Sequence, residues 1–239
     1  MKLAKQRGSF LSVGLAFFIA ACGGGSGVGP VAIKQQEDKL KTQVAVDWTA
    51  YESGDLETAL EGFQQTLLEA STTSGTDNIK NQVMSEAQNG IGWVYFKTQS
   101  LDNAAVAFSE ATKLNRRNAD AWAGWAGVAL AQKNYSDAAR YADQTLALDP
   151  DYSTGERILD KEDNGSPLVA HDGFDDRHLR LLLAEAYFHL GRYSVAERAD
   201  PKNSAAQVRL MRNNQFTYTD PGQLLEAISQ ESQKLLSTF

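Results

Sequence analysis

The 239-residue chain is short of several features that would announce a chemistry. It holds one cysteine, Cys22, so no disulfide can brace the folded part and packing must hold it. Its apolar stretch near the start, "FLSVGLAFFIAA" at residues 10–21, is twelve residues, too few to cross a bilayer as a helix, which takes ~20. Basic residues number 23 against 30 acidic ones and form no stripe. Nucleic-acid binding relies on Lys and Arg neutralising phosphates, so that class of partner is excluded. No glycine-rich phosphate loop precedes a helix, and the three histidines enter no Ser, His and acid arrangement that spacing supports. These absences point away from catalysis, from a bound cofactor and from DNA or RNA.

What the start does contain is ordered. "MKLAKQR" carries Lys2, Lys5 and Arg7, the apolar stretch follows, and the small residues Ala20 and Ala21 precede Cys22. Basic, apolar and small segments in that order read as a secretory signal, which belongs to targeting and not to the fold. Cleavage after residue 21 removes three positive and no negative charges, leaving 20 basic against 30 acidic residues, a net charge of −10. "IAAC" at 19–22 resembles a bacterial lipobox, with Ile in place of the commoner Leu. That resemblance implies a diacylglyceryl thioether on Cys22 and an amine-linked acyl chain such as palmitate, a multi-chain anchor that makes membrane residence stable. An acylated Cys22 is no thiol nucleophile. By the enteric sorting rule, Gly23 in place of an aspartate favours the outer membrane, facing the periplasm. "GGGSGVGP" then reads as a tether.

Behind the tether lies a repeat. Residues 85–118 and 119–152 are consecutive units of 34 in which Leu101 falls on Tyr135, Ala104 on Ala138, Ala111 on Thr145 and Leu114 on Leu148. Each unit divides into two apolar-periodic stretches, so each is expected to be an antiparallel helix pair that must stack on neighbours to bury its apolar face. Degenerate copies flank them at 47–70, with a Gly54-Asp55 turn, and at 179–201, with Leu183, Tyr187, Gly191 and an Asp200-Pro201 stop. Equivalent alanines Ala59, Ala104, Ala138 and Ala196 are 45, 34 and 58 apart, which marks insertions of 11 and 24 residues around the central pair. "DPGQLLEAISQESQKLL" begins with Asp220 before Pro221, a good helix start, and carries Leu224, Leu225, Ile228, Leu235 and Leu236 on one expected side.

Trp122, Trp125, Tyr135, Ala138, Leu148 and Pro150, with Gly92, Tyr95, Ala104, Phe108 and Ala111 one unit earlier, resemble the tetratricopeptide repeat (TPR). The resemblance implies an all-α, right-handed α-solenoid of about four TPR-like helix pairs plus a C-terminal capping helix. The expected organisation is a signal peptide at 1–21, lipidated Cys22 and tether at 22–38, repeats at 39–205 with an insertion at 153–176, and a connection and capping helix at 206–239. Trp122, Trp125, Phe63 and Phe108 are expected to fill the core.

In this family ligand contacts come from a few positions on the first helices, which line the concave side. Carried onto this chain, those positions give a groove of Trp48, Tyr51, Trp93, Phe96, Lys97, Leu130, Glu185 and Phe188, with Glu52, Glu86, Asn89, Asp120 and His178 nearby. Such an aromatic strip suits an extended protein or peptide partner, although aromatics three apart on a helix suit internal packing equally well. The implied function is a membrane-anchored, non-catalytic scaffold of the bacterial envelope, of the kind that assists outer-membrane protein, pilus or cell-wall assembly. Nothing in the sequence fixes an oligomeric state.

The insertion offers the alternative. "DKEDNG" at 160–165 begins like a calcium loop, but its twelfth position is His171 and not a glutamate, and Pro167 takes the eighth. "HDGFDDRH" gathers His171, Asp172, Asp175, Asp176 and His178, a donor set that suits a divalent metal. A metal- or calcium-dependent module or enzyme would therefore use residues 153–178. A plainer use of Asp175 or Asp176 is to cap the helix starting near His178.

Overall fold

The computed structural model of the protein describes residues 29–150, 152, 174–192 and 220–236. Among them are eight α-helices and no strand: α1 Pro30–Glu52, α2 Leu56–Thr72, α3 Asp77–Lys97, α4 Leu101–Leu114, α5 Ala119–Ala131, α6 Tyr135–Leu148, α7 Asp176–His189 and α8 Pro221–Leu236. Consecutive helices pack as pairs, and the first helices also touch one another, α1 on α3, α3 on α5 and α5 on α7. This is the all-α solenoid of stacked helix pairs. The signal, Cys22, residues 153–173 and the second half of the last repeat lie outside the described residues.

One turn recurs within every pair. Gly54, Gln99, Lys133 and Gly191 each adopt a left-handed φ, between 61° and 84°. In each case this residue's N–H bonds the carbonyl three back and the next residue's N–H bonds the carbonyl five back, as in Lys133 to Leu130 and Asn134 to Ala129, both 2.8 Å. That is a Schellman cap, which satisfies the last carbonyls of the first helix. The residue after it starts the second helix: Asp55 accepts from Thr58 N at 3.1 Å and Asn134 from Asp137 N at 3.3 Å.

The 11-residue insertion proves to be helix. α2 is three residues longer than α4 and α3 eight longer than α5, while both connections span four residues. The extra turns are apolar where they meet: Leu40 and Val44 of α1, Ala70 of α2 and Val83 of α3 are buried together. Each Leu or Val so placed stabilises the fold by roughly 1.5–3 kcal/mol. Residues 30–38, expected within the tether, are instead the first turns of α1. Pro30 opens the helix where its missing N–H leaves nothing unpaired, and Glu37 accepts from Thr76 N at 3.0 Å and Thr76 Oγ1 at 2.8 Å ahead of α3. Those two bonds hold the Glu37 carboxyl below its ordinary range.

Between pairs, rings of the second helices sit on glycines of the first helices. A Cβ on Gly90 would run into the Phe63 ring and one on Gly124 into the Phe108 ring, which within its own pair also lies against Gly92. Both phenylalanines are completely buried. Trp122 and Trp125, expected in the core, are only half-buried. They stack on each other at 5.6 Å and Trp125 stacks on Tyr141 at 4.1 Å, with Arg140 over the Tyr141 ring at 4.3 Å. α6 carries Ala142 where α4 has Phe108, and the α6 ring the tryptophans meet is that of Tyr141. In α8, Leu224, Ile228 and Leu235 are buried, but Leu225 is half exposed, one position off the inward face.

Two stability outcomes follow from this packing. Gly124→Ala should lower stability by about 1–2 kcal/mol, overpacking at Phe108 outweighing the ~1 kcal/mol that alanine gains in helix propensity; urea unfolding with an unchanged m-value checks it. Lys133→Gly should raise stability by about 0.5–1 kcal/mol, because relief of the left-handed strain exceeds the added unfolded-chain entropy; a higher melting temperature is the readout, and a lower one refutes the strain account.

Candidate functional site

The first helices present the candidate residues, and the structure sorts them into different environments. Trp48 is fully buried, its ring edge-on to Phe63 at 5.1 Å and to Tyr51 at 5.4 Å. It is a core residue and not a groove residue, because the Phe63 ring that fills Gly90 also covers it. Tyr51 and Trp93 are likewise buried, at 7% and 5% exposure. Burial, reinforced by the Asp120 charge, pushes the Tyr51 phenol well above its ordinary range. Phe96 is half-buried, 5.9 Å from Trp93, and the exposed Lys97 sets its ammonium 4.9 Å over the Tyr51 ring. These four residues of α1 and α3 form one patch.

The remaining candidates are not continuous with it. Leu130 packs with Tyr135 and Phe188 on the second core cluster. Glu185 and Phe188 line a shallow cleft of about 240 Å³ between α7 and α8, with His189, Leu225, Ile228 and Ser232. The expected single strip is therefore two separate patches.

Several polar neighbours serve the fold. Asn118 accepts from Ala121 N at 3.1 Å, capping α5, and donates to Glu86 Oε1 at 2.9 Å and Ser85 Oγ at 3.0 Å. Ser85 in turn donates to Ala111 O at 2.9 Å. This buried network joins α3 to the start of α5.

Asp120 stands apart. It is 3% exposed, and its Oδ2 accepts from Asn89 Nδ2 at 2.7 Å and Trp93 Nε1 at 3.0 Å. Its other oxygen accepts from the Tyr152 hydroxyl. Tyr152 is 1% exposed. Phe174 lies beside it, 6.3 Å from Tyr152 and 5.8 Å from Trp93. Tyr152, just before the insertion, and Phe174, near its end, thus rest against Asp120 of α5 and Trp93 of α3. Neither was a candidate from sequence. The only signal available was their position, Tyr152 two residues after the Pro150 stop and Phe174 just before Asp175.

Asp175 is the N-cap of α7. Its Oδ1 accepts from Arg177 N at 2.9 Å and His178 N at 3.2 Å, and His178 Nδ1 lies 2.8 Å from the same oxygen. Asp176 pairs with Arg180 at 3.1 Å. Both carboxylates are thereby committed to helix α7, and among the described residues no cluster of three His, Cys, Asp or Glu could hold a metal. His171, Asp172 and the calcium-like loop at 160–171 lie outside the described residues. Burial raises the Asp175 carboxyl, but the His178 and Arg177 hydrogen bonds outweigh it and hold the carboxyl below its ordinary range.

With this geometry in place the comparisons with known proteins can be set beside it. Residues 89–153 match the tetratricopeptide repeat family model. Over that stretch the chain carries TPR-type repeats. The match runs through α3 to α6, the helices of the two central units. Among solved structures, the chain is similar to MamA at 14% identity, with 86% of this chain and 80% of that one covered and a TM-score of 0.45. It is also similar to a Podosopora anserina kinesin light chain with nearly identical TPR-like repeats, at 15% identity, with 83% and 97% covered and a TM-score of 0.47. No curated protein matches the chain.

Asp175→Ala should cost about 1 kcal/mol at neutral pH through loss of the cap. Because the folded carboxyl titrates below its unfolded value, this contribution is present above the ordinary carboxylate range and vanishes as pH falls through the folded value. The gap between wild-type and variant unfolding curves should accordingly close under acid conditions; a gap independent of pH would refute the role of the charge.

Proposed function

We propose that the protein is a lipid-anchored, non-catalytic TPR scaffold of the bacterial envelope that binds a protein or peptide partner through its first-helix face. The TPR fold supports a protein-binding scaffold, and the array of first helices bearing aromatic residues is the observation that carries the reading. Phe96 and Lys97 on α3, Leu130 on α5, and Glu185 and Phe188 on the α7 cleft are the members of the expected groove that keep exposed surface. Aromatic contact area with few rotatable bonds beside a single cation suits an extended segment carrying acidic residues.

The anchor rests on sequence. "IAAC" after a basic and apolar start supports acylation of Cys22, and the tether, shortened to the residues before Pro30, keeps the repeats close to the lipid surface. Confinement there raises the effective concentration of the binding face toward membrane-bound partners, so a modest contact affinity suffices. Gly23 favours the periplasmic face of the outer membrane, where the protein would serve as an assembly accessory.

Full-length protein expressed in a Gram-negative host and labelled with an alkyne analogue of palmitate tests the anchor: the wild type should take up label and sediment with membranes, and Cys22→Ser should do neither. A labelled Cys22→Ser protein would sink the anchor. Capture from detergent-solubilised envelopes tests the face, where a protein retained by wild type should be lost from a folded Phe96→Ala, Lys97→Glu variant. Equal retention by the two would move the binding surface elsewhere.

A further inference from the structure

The open cleft between α7 and α8 joins an apolar floor to an uncompensated charge. Its volume of about 240 Å³ falls below the ~300–1,000 Å³ of a site for a drug-sized molecule, so it suits one long side chain. Phe188 is half-buried, Ile228 is 5% exposed, and Leu225, one position off the inward face of α8, keeps 48% of its surface in water. Glu185 is the one carboxylate of the lining, and no Lys or Arg accompanies it among the described residues. It is half-buried and makes no hydrogen bond or ion pair there. The nearby cations are already paired, Arg180 with Asp176 and Lys234 with Glu231. His189, the other titratable lining residue, stacks on Tyr135 at 4.1 Å. Ser232 and Gln233 of α8 bring further oxygens that can accept hydrogen bonds.

We propose that this cleft takes an arginine side chain from the partner, with its stem lying on Phe188, Leu225 and Ile228 and its guanidinium donating to the Glu185 carboxylate. This rests on the reading of the protein as a protein-binding scaffold and gives the second patch a ligand of its own. A guanidinium is planar and donates without accepting, so it meets a carboxylate with two N–H groups and reaches a hydroxyl or amide oxygen with a third. An ammonium is a point charge and matches that set less well. The methylenes of an arginine stem cover apolar surface while the head stays near water, which is what the half-exposed Leu225 beside Glu185 invites. The chain as a whole agrees in sign: 30 acidic against 23 basic residues draw a basic segment toward it.

The probe is a fluorescein-labelled peptide, Ala-Leu-Arg-Leu-Ala, read by anisotropy on full-length protein in detergent. Citrulline in place of arginine keeps the shape and removes the charge, and should weaken binding about fivefold or more, with lysine between the two. Glu185→Gln should weaken the arginine peptide by a similar factor and leave the citrulline peptide unchanged. Leu225→Ser, a change at a half-exposed position, should weaken both peptides about threefold by removing apolar contact. Equal binding of the arginine and citrulline peptides, or an arginine peptide indifferent to Glu185→Gln, overturns the proposal. Self-association of the protein that Leu225→Ser abolishes overturns it too, because a second copy would then own the cleft. The peptide reports the cleft with no partner present. Glu185-dependent peptide binding beside a failed partner capture would therefore keep the cleft and discard the scaffold reading, while successful capture beside indifferent peptide binding would do the opposite.

Discussion

The seating of a phenylalanine ring on a glycine of the next helix pair is the constraint on which the rest of the structure depends. Phe63 over Gly90 and Phe108 over Gly124 are equivalent contacts in successive units, and Phe108 also covers Gly92. A glycine lets the helix backbones approach across the ring with no void and no clash, and interiors packed at this density respond to a single methylene. At the next interface the sizes are exchanged. The position of Phe108 becomes Ala142, the position of Gly124 becomes Leu182, and both are buried in the second core cluster. Volume is conserved across the interface while the bulky partner changes sides, which is the kind of substitution a core tolerates best.

That packing also decides what the first-helix face can present. Once Phe63 and Phe108 fill the space between pairs, Trp48 and Trp93 have rings to lie against, and they turn inward. The indole N–H of Trp93 must then find a partner within the protein, and Asp120 one unit later supplies it. The carboxylate so recruited has a second oxygen to satisfy, which Tyr152 does. A buried polar anchor between α3 and α5 is thus a downstream result of how the core is filled.

Much of this was legible in the sequence. The 34-residue register, the Gly54-Asp55 turn, the pair-by-pair helices, the eleven extra residues and the Asp175 cap all rest on local rules of spacing, left-handed turns and orphan N–H groups. The site was less legible. Trp48 and Trp93 sit at family ligand positions by offset, but burial depends on what lies opposite, and the occupants, Phe63 for Trp48 and Phe174 for Trp93, come from other segments. Trp122 and Trp125 were misplaced because the ring opposite them, Tyr141, stacks on them and leaves both half-buried. Residues 30–38 look like linker by composition until Glu37 finds Thr76, 39 residues away in the chain.

The two kinds of junction in the array differ in freedom. Within a pair the Schellman cap fixes three connecting residues each time, at 53–55, 98–100 and 132–134, whereas between the first three pairs the connection is four residues, at 73–76 and 115–118. Hydrogen bonds between neighbouring residues lock the first kind, whereas the second is held by side-chain bonds across the chain, Glu37 with Thr76 and Asn118 with Ser85 and Glu86, so new sequence enters more readily there. A lineage of these chains would therefore lengthen at its pair-to-pair junctions and keep its within-pair turns unchanged.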